Sequence, residues 1–183
     1  MKDELRYKYK IKRKYFQHSQ REVADGAIRD CVTELYKDKL RFFVYYSFGS
    51  EADTRALIAR LISDGKEVYL PRVEGKNMVA VRFYGSAEEL KKGAFGTLEP
   101  QGQAYSGDFD VIIVPLLAVN HQGYRLGYGG GFYDRFLKDN PAEKAGIGYY
   151  LQFTEEIFQE ERDVPIDKFI CERGIINFGR TVD

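Results

Sequence analysis

A chain of 183 residues is long enough to bury a real core but short for two domains, so a single domain over 1–183 is expected. Lys and Arg together number 28, as do Asp and Glu, which removes any global charge argument for nucleic acid or membrane. Cys31 and Cys171 are too few and too far apart for a disulfide scaffold or a zinc site, no apolar run approaches a membrane span, and the start is charged rather than signal-like, so a cytoplasmic enzyme-sized domain is expected.

In chain order, residues 2–14 carry Lys2, Arg6, Lys8, Lys10, Lys12, Arg13 and Lys14 against Asp3 and Glu4. As a run they read as a solvated, frayed basic arm. Lys2 and Arg6 stand apart, because i, i+4 spacing sets both on one helical face, able to grip one polyphosphate. Ser19-Gln20-Arg21-Glu22 reads as a capping box before a helix with Val23, Ala24, Ala27, Ile28, Cys31, Val32 and Leu35 at apolar spacing. Phe42 to Tyr46 reads as a strand, followed by a small polar turn over Ser47 to Ser50. A second helix is expected from Ser50, with Asp53 closing its capping box, Leu57, Ile58, Leu61 and Ile62 as its apolar face, and Gly65 as its stop. Glu51 then falls in the first turn. An acid there complements the dipole of any helix; it also lies at the carboxyl end of a strand, where open α/β sheets bind ligands, and the residues alone leave both readings open.

Glu67 to Leu70, closed by Pro71, and Met78 to Phe83 read as strands of an edge pair, and Ser86 to Lys92 as a short helix. Phe95 to Gly107 reads as a long loop of the kind that is often functional, with Glu99 as a turn cap and Phe95 as packing or pocket lining. Asp110 to Pro115 is an apolar run that reads as a buried strand, Ala145 to Tyr150 as another, and Ile175 to Phe178 as the last. Strands alternating with helices imply a three-layer α/β/α sandwich around a mostly parallel, Rossmann-like sheet, with its ligand cleft at the carboxyl ends of the strands.

The most informative stretch is Gly123-Tyr124-Arg125-Leu126-Gly127-Tyr128-Gly129-Gly130-Gly131-Phe132-Tyr133-Asp134-Arg135-Phe136-Leu137, placed after the buried strand and before a helical pattern. Glycines remove the Cβ atoms that keep backbone away from a phosphate, and the helix start beyond them offers unpaired N–H groups. Arg125 and Arg135 bracket the turn and Asp134 adds a hard oxygen ligand, which suits a nucleotide phosphate with magnesium. It is not a Walker A sequence, since no Gly-Lys-Ser/Thr follows, nor a dinucleotide fingerprint, since it lies late in the chain.

Arg125 to Leu137, preceded by Val114-Pro115-Leu116-Leu117-Ala118, resembles the signature of the 5-formyltetrahydrofolate cyclo-ligase family, also called 5,10-methenyltetrahydrofolate synthetase. Lys2 to Arg6 resembles its N-terminal Lys-x-x-x-Arg, and Ser50 to Thr54 its Glu-containing helix start. Pro71-Arg72-Val73, Phe95 to Pro100 and Gln152 resemble further landmarks in the same order, so the likeness spans nearly the whole chain.

The resemblance implies ATP- and Mg²⁺-dependent cyclisation of 5-formyltetrahydrofolate, with or without a polyglutamate tail, to 5,10-methenyltetrahydrofolate, releasing ADP and phosphate. It implies that Lys2, Arg6 and Arg125 hold the ATP phosphates and that Leu126, Gly127, Tyr128, Gly129, Gly130, Gly131, Phe132 and Tyr133 complete the nucleotide site, although a ring in Tyr133's position more often packs than stacks on a base. By the same likeness Tyr46, Glu51 and Tyr128 to Phe132 are expected to face the folate, Asp134 and Asp163 to ligate magnesium, and Arg125 with Asp134 to carry the chemistry. Family members usually show His-Asp where this chain has Arg162-Asp163, which keeps the carboxylate and loses the imidazole. His18 and His121 are the only histidines, and His121, near the signature, has no triad partners. No nucleic acid, membrane or obligate protein partner is expected, and a monomer is. A non-catalytic nucleotide- or RNA-binding module is the rival reading, set against the neutral charge and the presence of Asp134 with both arginines. A nicotinamide oxidoreductase would need a first-strand glycine motif that is absent.

Overall fold

The computed structural model of the chain describes residues 1–179, so positions 180–183 of the expected domain lie outside the described residues. The strands β1 (Arg41–Val44), β2 (Glu67–Glu74), β7 (Val111–Val114), β10 (Glu143–Ile147) and β12 (Lys168–Cys171) pair in parallel at the centre of the main sheet, whose order is β13-β12-β10-β7-β1-β2-β3-β6. β13 (Gly174–Asn177) closes one edge antiparallel, and β3 (Asn77–Phe83) with β6 (Ala104–Tyr105) closes the other. Side chains in a strand alternate between faces, and both faces here are apolar. Phe42, Val44, Val111 and Ile113 turn to one side and pack under α2 (His18–Leu35) and α3 (Arg55–Ser63); Phe43, Ile112 and Val114 turn to the other, towards α4 (Phe132–Lys138). The result is the expected α/β sandwich with a mostly parallel sheet.

Several boundaries differ from the sequence reading, each for a physical reason. The basic run is not frayed: Lys2–Lys14 forms helix α1, which buries Leu5 and Tyr9 in a small separate cluster with Leu117, Ala118, Leu126 and Phe158. Helix α2 starts at His18 with no side-chain cap, so Ser19 is inside it; its buried stripe is Ala24, Ile28 and Val32, while Val23, Ala27 and Leu35 face solvent. Helix α3 starts four residues later than expected, with Thr54 rather than Ser50 at its N-cap position, because the Thr54 hydroxyl is used to tie the exit of β1, donating to Tyr45 O at 2.6 Å and accepting from Ser47 N–H at 2.8 Å. Asp53 then caps from outside, its carboxylate accepting the N–H of Arg55 at 2.9 Å and of Ala56 at 3.4 Å. Glu51 therefore lies in a turn before the helix, not in its first turn.

Strand β2 runs through Pro71 to Glu74 because it is paired with β1 only as far as Tyr69, and a proline is tolerated where a strand has lost one neighbour. The region from Ser86 to Gly107 holds one turn of 3₁₀ helix at Ala87–Glu89, capped by Ser86, and then the short strands β4 (Leu90–Lys92), β5 (Leu98–Pro100) and β6, so the expected helix ends before Lys92 and the expected loop is partly strand. Between the buried strand β7 and the glycine-rich turn lies a hairpin, β8 (Ala118–Asn120) and β9 (Arg125–Leu126), joined to β11 (Phe153–Thr154) in a second small sheet. The hairpin holds the glycine-rich turn against the carboxyl end of the main sheet.

Gly123 makes the hairpin's bend. Its φ is +83°, and a Cβ built there would stand 2.9 Å from the carbonyl oxygen of Ile166 and 2.8 Å from the Phe178 ring. Gly123→Ala is expected to destabilise the fold by about 2 to 4 kcal/mol, summing left-handed backbone strain and overpacking. Urea denaturation of the two proteins checks this, and a midpoint unchanged from the parent would refute it.

Candidate active site

Helix α1 lies along the glycine-rich turn and places its charged side chains on it. Arg6 Nε donates to Gly127 O at 3.0 Å, and a Cβ on Gly129 would stand 3.3 Å from the Arg6 guanidinium carbon. Lys2 Nζ is 2.9 Å from Asp163 Oδ2 and 3.3 Å from Glu160 Oε1. The i, i+4 pair thus reaches the two ends of one region, 160–163 and the glycine turn. Gly129 at φ +105° and Gly131 at φ +69° supply backbone that L side chains adopt with strain, and Gly131 stands at the start of α4.

Arg125 is 7% exposed and opens β9, and a Cβ on Gly127 would stand 2.9 Å from an Arg125 terminal nitrogen, so a side chain there would push the guanidinium. Its other terminal nitrogen is 3.4 Å from Asp134 Oδ1, and its plane lies over the Tyr133 ring with 5.2 Å to the centroid. Burial lowers the guanidinium's affinity for its proton, while Asp134, Tyr133 and Asp163 oppose that shift. Among the described residues, the buried Arg125 Nε has no hydrogen-bond partner. A buried guanidinium N–H left open is costly, and an anion at the turn would satisfy it.

Asp134 Oδ1 also accepts the N–H of Val164 at 3.0 Å, which ties α4 to the segment carrying Asp163; Asp163 Oδ2 accepts the N–H of Glu160 at 2.9 Å. In these bonds each carboxylate uses one oxygen. Among the described residues, no group of three or more His, Cys, Asp and Glu side chains is arranged to hold a metal. Two carboxylates are nevertheless what magnesium commonly takes from protein, with water and phosphate oxygens completing its shell.

On the other side of the turn, Tyr128 O–H donates to Glu51 Oε1 at 2.7 Å, across 77 residues of sequence. The other Glu51 oxygen accepts the Phe48 N–H at 2.8 Å. Burial pushes the Glu51 carboxyl above the usual carboxylate range, and the Tyr128 hydrogen bond partly offsets this. Tyr46 packs below the Arg55 guanidinium, 4.6 Å from its ring centroid, and edge-on to Phe83. Phe132 is flanked by Phe95 and by Arg135, whose guanidinium also donates to Lys76 O and Gly130 O. Tyr133 packs against both core clusters, and burial raises its hydroxyl well above the ordinary value. The Leu126 side chain is buried in the α1 cluster, which leaves only its backbone for any ligand. His121 sits 3.6 Å from Glu155, outside this convergence.

Sequence reasoning missed Arg13. It is 4% exposed and donates to Ser50 Oγ, Leu116 O and Tyr128 OH, while Arg21 braces it by donating to Arg13 O and Ser50 O. Its place in a basic run hid it; only the helical stripe Leu5, Tyr9, Arg13, at spacing four, marks it as facing inwards. Gln152, noted only as a landmark, is buried and clamps Leu116 O and Leu117 O at 2.9 and 3.1 Å.

A second carboxylate outside the site is also perturbed. Asp25 accepts from Tyr149 O–H at 2.7 Å and Asp53 N–H at 3.2 Å, yet burial holds its pKa above the ordinary value. An acid whose pKa is raised by folding binds its proton more tightly in the folded state, so stability falls as pH rises from the ordinary carboxylate value through the raised one. Asp25→Asn is expected to gain stability relative to the parent as pH rises through that window and to keep the gain at pH 7. Thermal melts at pH 4 and pH 7 read this as a change in the difference between the two proteins; a difference independent of pH would contradict it.

With the geometry in view, comparison with known proteins is direct. Residues 1–172 match the model of the 5-formyltetrahydrofolate cyclo-ligase family. The 5-formyltetrahydrofolate cyclo-ligase of Haemophilus influenzae is 34% identical over 132 residues, covering 67% of this chain and 71% of its own. That of Mycolicibacterium smegmatis is 31% identical over 186 residues, 96% of each chain. Among solved structures, the 5,10-methenyltetrahydrofolate synthetase of Aquifex aeolicus superposes with a TM-score of 0.85 at 31% identity, covering all of this chain and 96% of that one.

Proposed function

The chain belongs to the 5-formyltetrahydrofolate cyclo-ligase family, and from that premise we propose that the convergence of α1, the glycine-rich turn and the Glu51 turn is where it cyclises 5-formyltetrahydrofolate to 5,10-methenyltetrahydrofolate with ATP. The observation that carries this assignment is the buried Arg125 Nε, unpartnered among the described residues, beside a turn whose Gly129 and Gly131 take left-handed backbone that side chains disfavour. A phosphate oxygen brought to the turn would satisfy that N–H.

The chemistry follows from the substrate. A formyl oxygen on nitrogen is a poor leaving group. Transfer of the γ-phosphoryl group breaks its bond to the bridging oxygen of ADP and forms a P–O bond to the formyl oxygen, leaving an iminium phosphate. The N10 lone pair attacks that carbon, the C–O bond breaks with loss of phosphate, and the N10 proton goes to solvent. Phosphoryl transfer asks the protein mainly for alignment and charge. Arg125, Arg6 and Lys2 supply positive charge around the turn, and Gly127 to Gly131 bring backbone close. Lys2 must leave Asp163 or share it with the phosphates, since Asp163 is its partner in this structure. Asp134 and Asp163 would hold magnesium, which supplies further neutralisation of phosphate charge when bound. Asp134 also keeps Arg125 in place. Glu51, Tyr46 and Tyr128 to Phe132 form the folate side. No general base is required, because N10 is itself the nucleophile.

Among the described residues no helix is long and apolar enough to cross a membrane. The test is turnover: purified protein incubated with 5-formyltetrahydrofolate and Mg-ATP develops the methenyl chromophore. Folded protein that binds RNA tightly and gives no chromophore would instead point to a binding module on the same fold.

A further inference from the structure

Arg13 is buried between the Glu51 turn and Tyr128, and its bonds run in one direction. Arginine has only donors, so the Tyr128 oxygen 2.8 Å from Arg13 must act as acceptor. The single Tyr128 proton is then free to point at Glu51 Oε1, 2.7 Å away. With Phe48 N–H on the second oxygen, Glu51 is held at both oxygens and its orientation is set from α1. The two other Arg13 bonds, to Leu116 O at 3.1 Å and Ser50 Oγ at 3.0 Å, join the end of β7 to the turn that carries Glu51. Arg21 holds that same turn from α2 through Ser50 O at 2.7 Å.

We propose that Arg13 is a positioning residue for the folate: through the Tyr128 hydroxyl it orients the Glu51 carboxylate that receives the substrate, without touching the substrate itself. This rests on Glu51 being a folate contact. A lysine could not take its place in full, since one ammonium has neither the fork nor the reach to serve Ser50, Leu116 and Tyr128 together. The role is also distinct from that of Lys2 and Arg6 on the same helix, whose side chains go to Asp163 and to the glycine turn.

The experiment measures KM for 5-formyltetrahydrofolate and for ATP separately, with kcat, in Arg13→Gln, Arg13→Lys, Tyr128→Phe, Glu51→Gln and the double variant Arg13→Gln/Glu51→Gln, each checked for folding by thermal melt. Losing the charge-assisted bond is expected to raise the folate KM of Arg13→Gln about 10- to 100-fold, with the ATP KM within about twofold of the parent. Arg13→Lys should recover part of the loss. The double variant should be no worse than Glu51→Gln alone, because the two residues act through one contact. If Arg13→Gln does not fold, Tyr128→Phe cuts the same link while leaving Arg13 bonded to Leu116 and Ser50, and it too should raise the folate KM. An unchanged folate KM in Glu51→Gln removes Glu51 from the folate site. A raised folate KM there combined with independent, multiplying losses, with equal rises in both KM values for Arg13→Gln, or with no effect of Tyr128→Phe overturns the positioning role and leaves Arg13 a scaffold for α1.

Discussion

Arg125→Met is expected to lower kcat by about 10²- to 10³-fold and to weaken ATP binding, the loss typical of removing one preorganised donor from a developing charge. Methionine fills the space left by the guanidinium, so the nearby glycine turn is not invaded. What disappears is the buried cation paired with Asp134, together with its open Nε. Asp134 keeps its bond from Val164 N–H and its side chain is 26% exposed, so the remaining carboxylate is partly hydrated and the fold survives with reduced stability. Arg125→Lys should rescue little, because a lysine ammonium cannot both reach Asp134 and present a planar N–H edge towards the turn. Isothermal titration with ATP and single-turnover kinetics separate binding from chemistry. Parent-like ATP affinity and rate in Arg125→Met would place the triphosphate elsewhere.

The second large effect belongs to Asp134. Asp134→Asn keeps an oxygen to accept the Val164 N–H, so the junction between α4 and the 163–164 segment is retained. It loses the negative charge that compensates Arg125 and one of the two carboxylates proposed for magnesium. Turnover is expected to fall by about 100-fold or more, in line with losing a charge placed at the reacting phosphoryl group. ATP should still bind weakly without metal, and the dependence of the residual rate on magnesium concentration should move to higher concentration. A parent-like rate in this variant would take Asp134 out of the metal site. The arginine and aspartate effects should not add, since the two residues touch.

Much of the fold could be read from periodicity. Unbroken apolar runs in Phe42 to Val44 and Val111 to Val114 marked strands buried on both faces, and such strands belong to a parallel sheet. The short elements were illegible for an equally physical reason. Lys168–Cys171 is set in place by its pairing with β10 and β13 rather than by local preference, and β8 with β9 is a hairpin of strands shorter than any period can register. The start of α3 was misplaced because Ser50-Glu51-Ala52-Asp53 satisfies a capping pattern, while the decision is made by the Thr54 hydroxyl bonding back to β1, a tertiary contact. At the site, glycine spacing, Arg125 and Asp134 stood out because their chemistry is concentrated within twelve residues of chain. The Tyr128–Glu51 bond and the Arg13 clamp join partners 77 and 115 residues apart, beyond the reach of local pattern.

The docking of α1 also constrains how the protein is made. This helix is synthesised early, yet its apolar stripe closes on Leu117, Leu126 and Phe158, and its first lysine on Asp163, 161 positions downstream. A nascent chain halted before those residues emerge holds an amphipathic helix with no surface to meet, although β1, β2 and β3 can already have paired. Completion of the catalytic cleft is therefore one of the last events of biogenesis, so a truncated translation product has no competent site however well its sheet has formed.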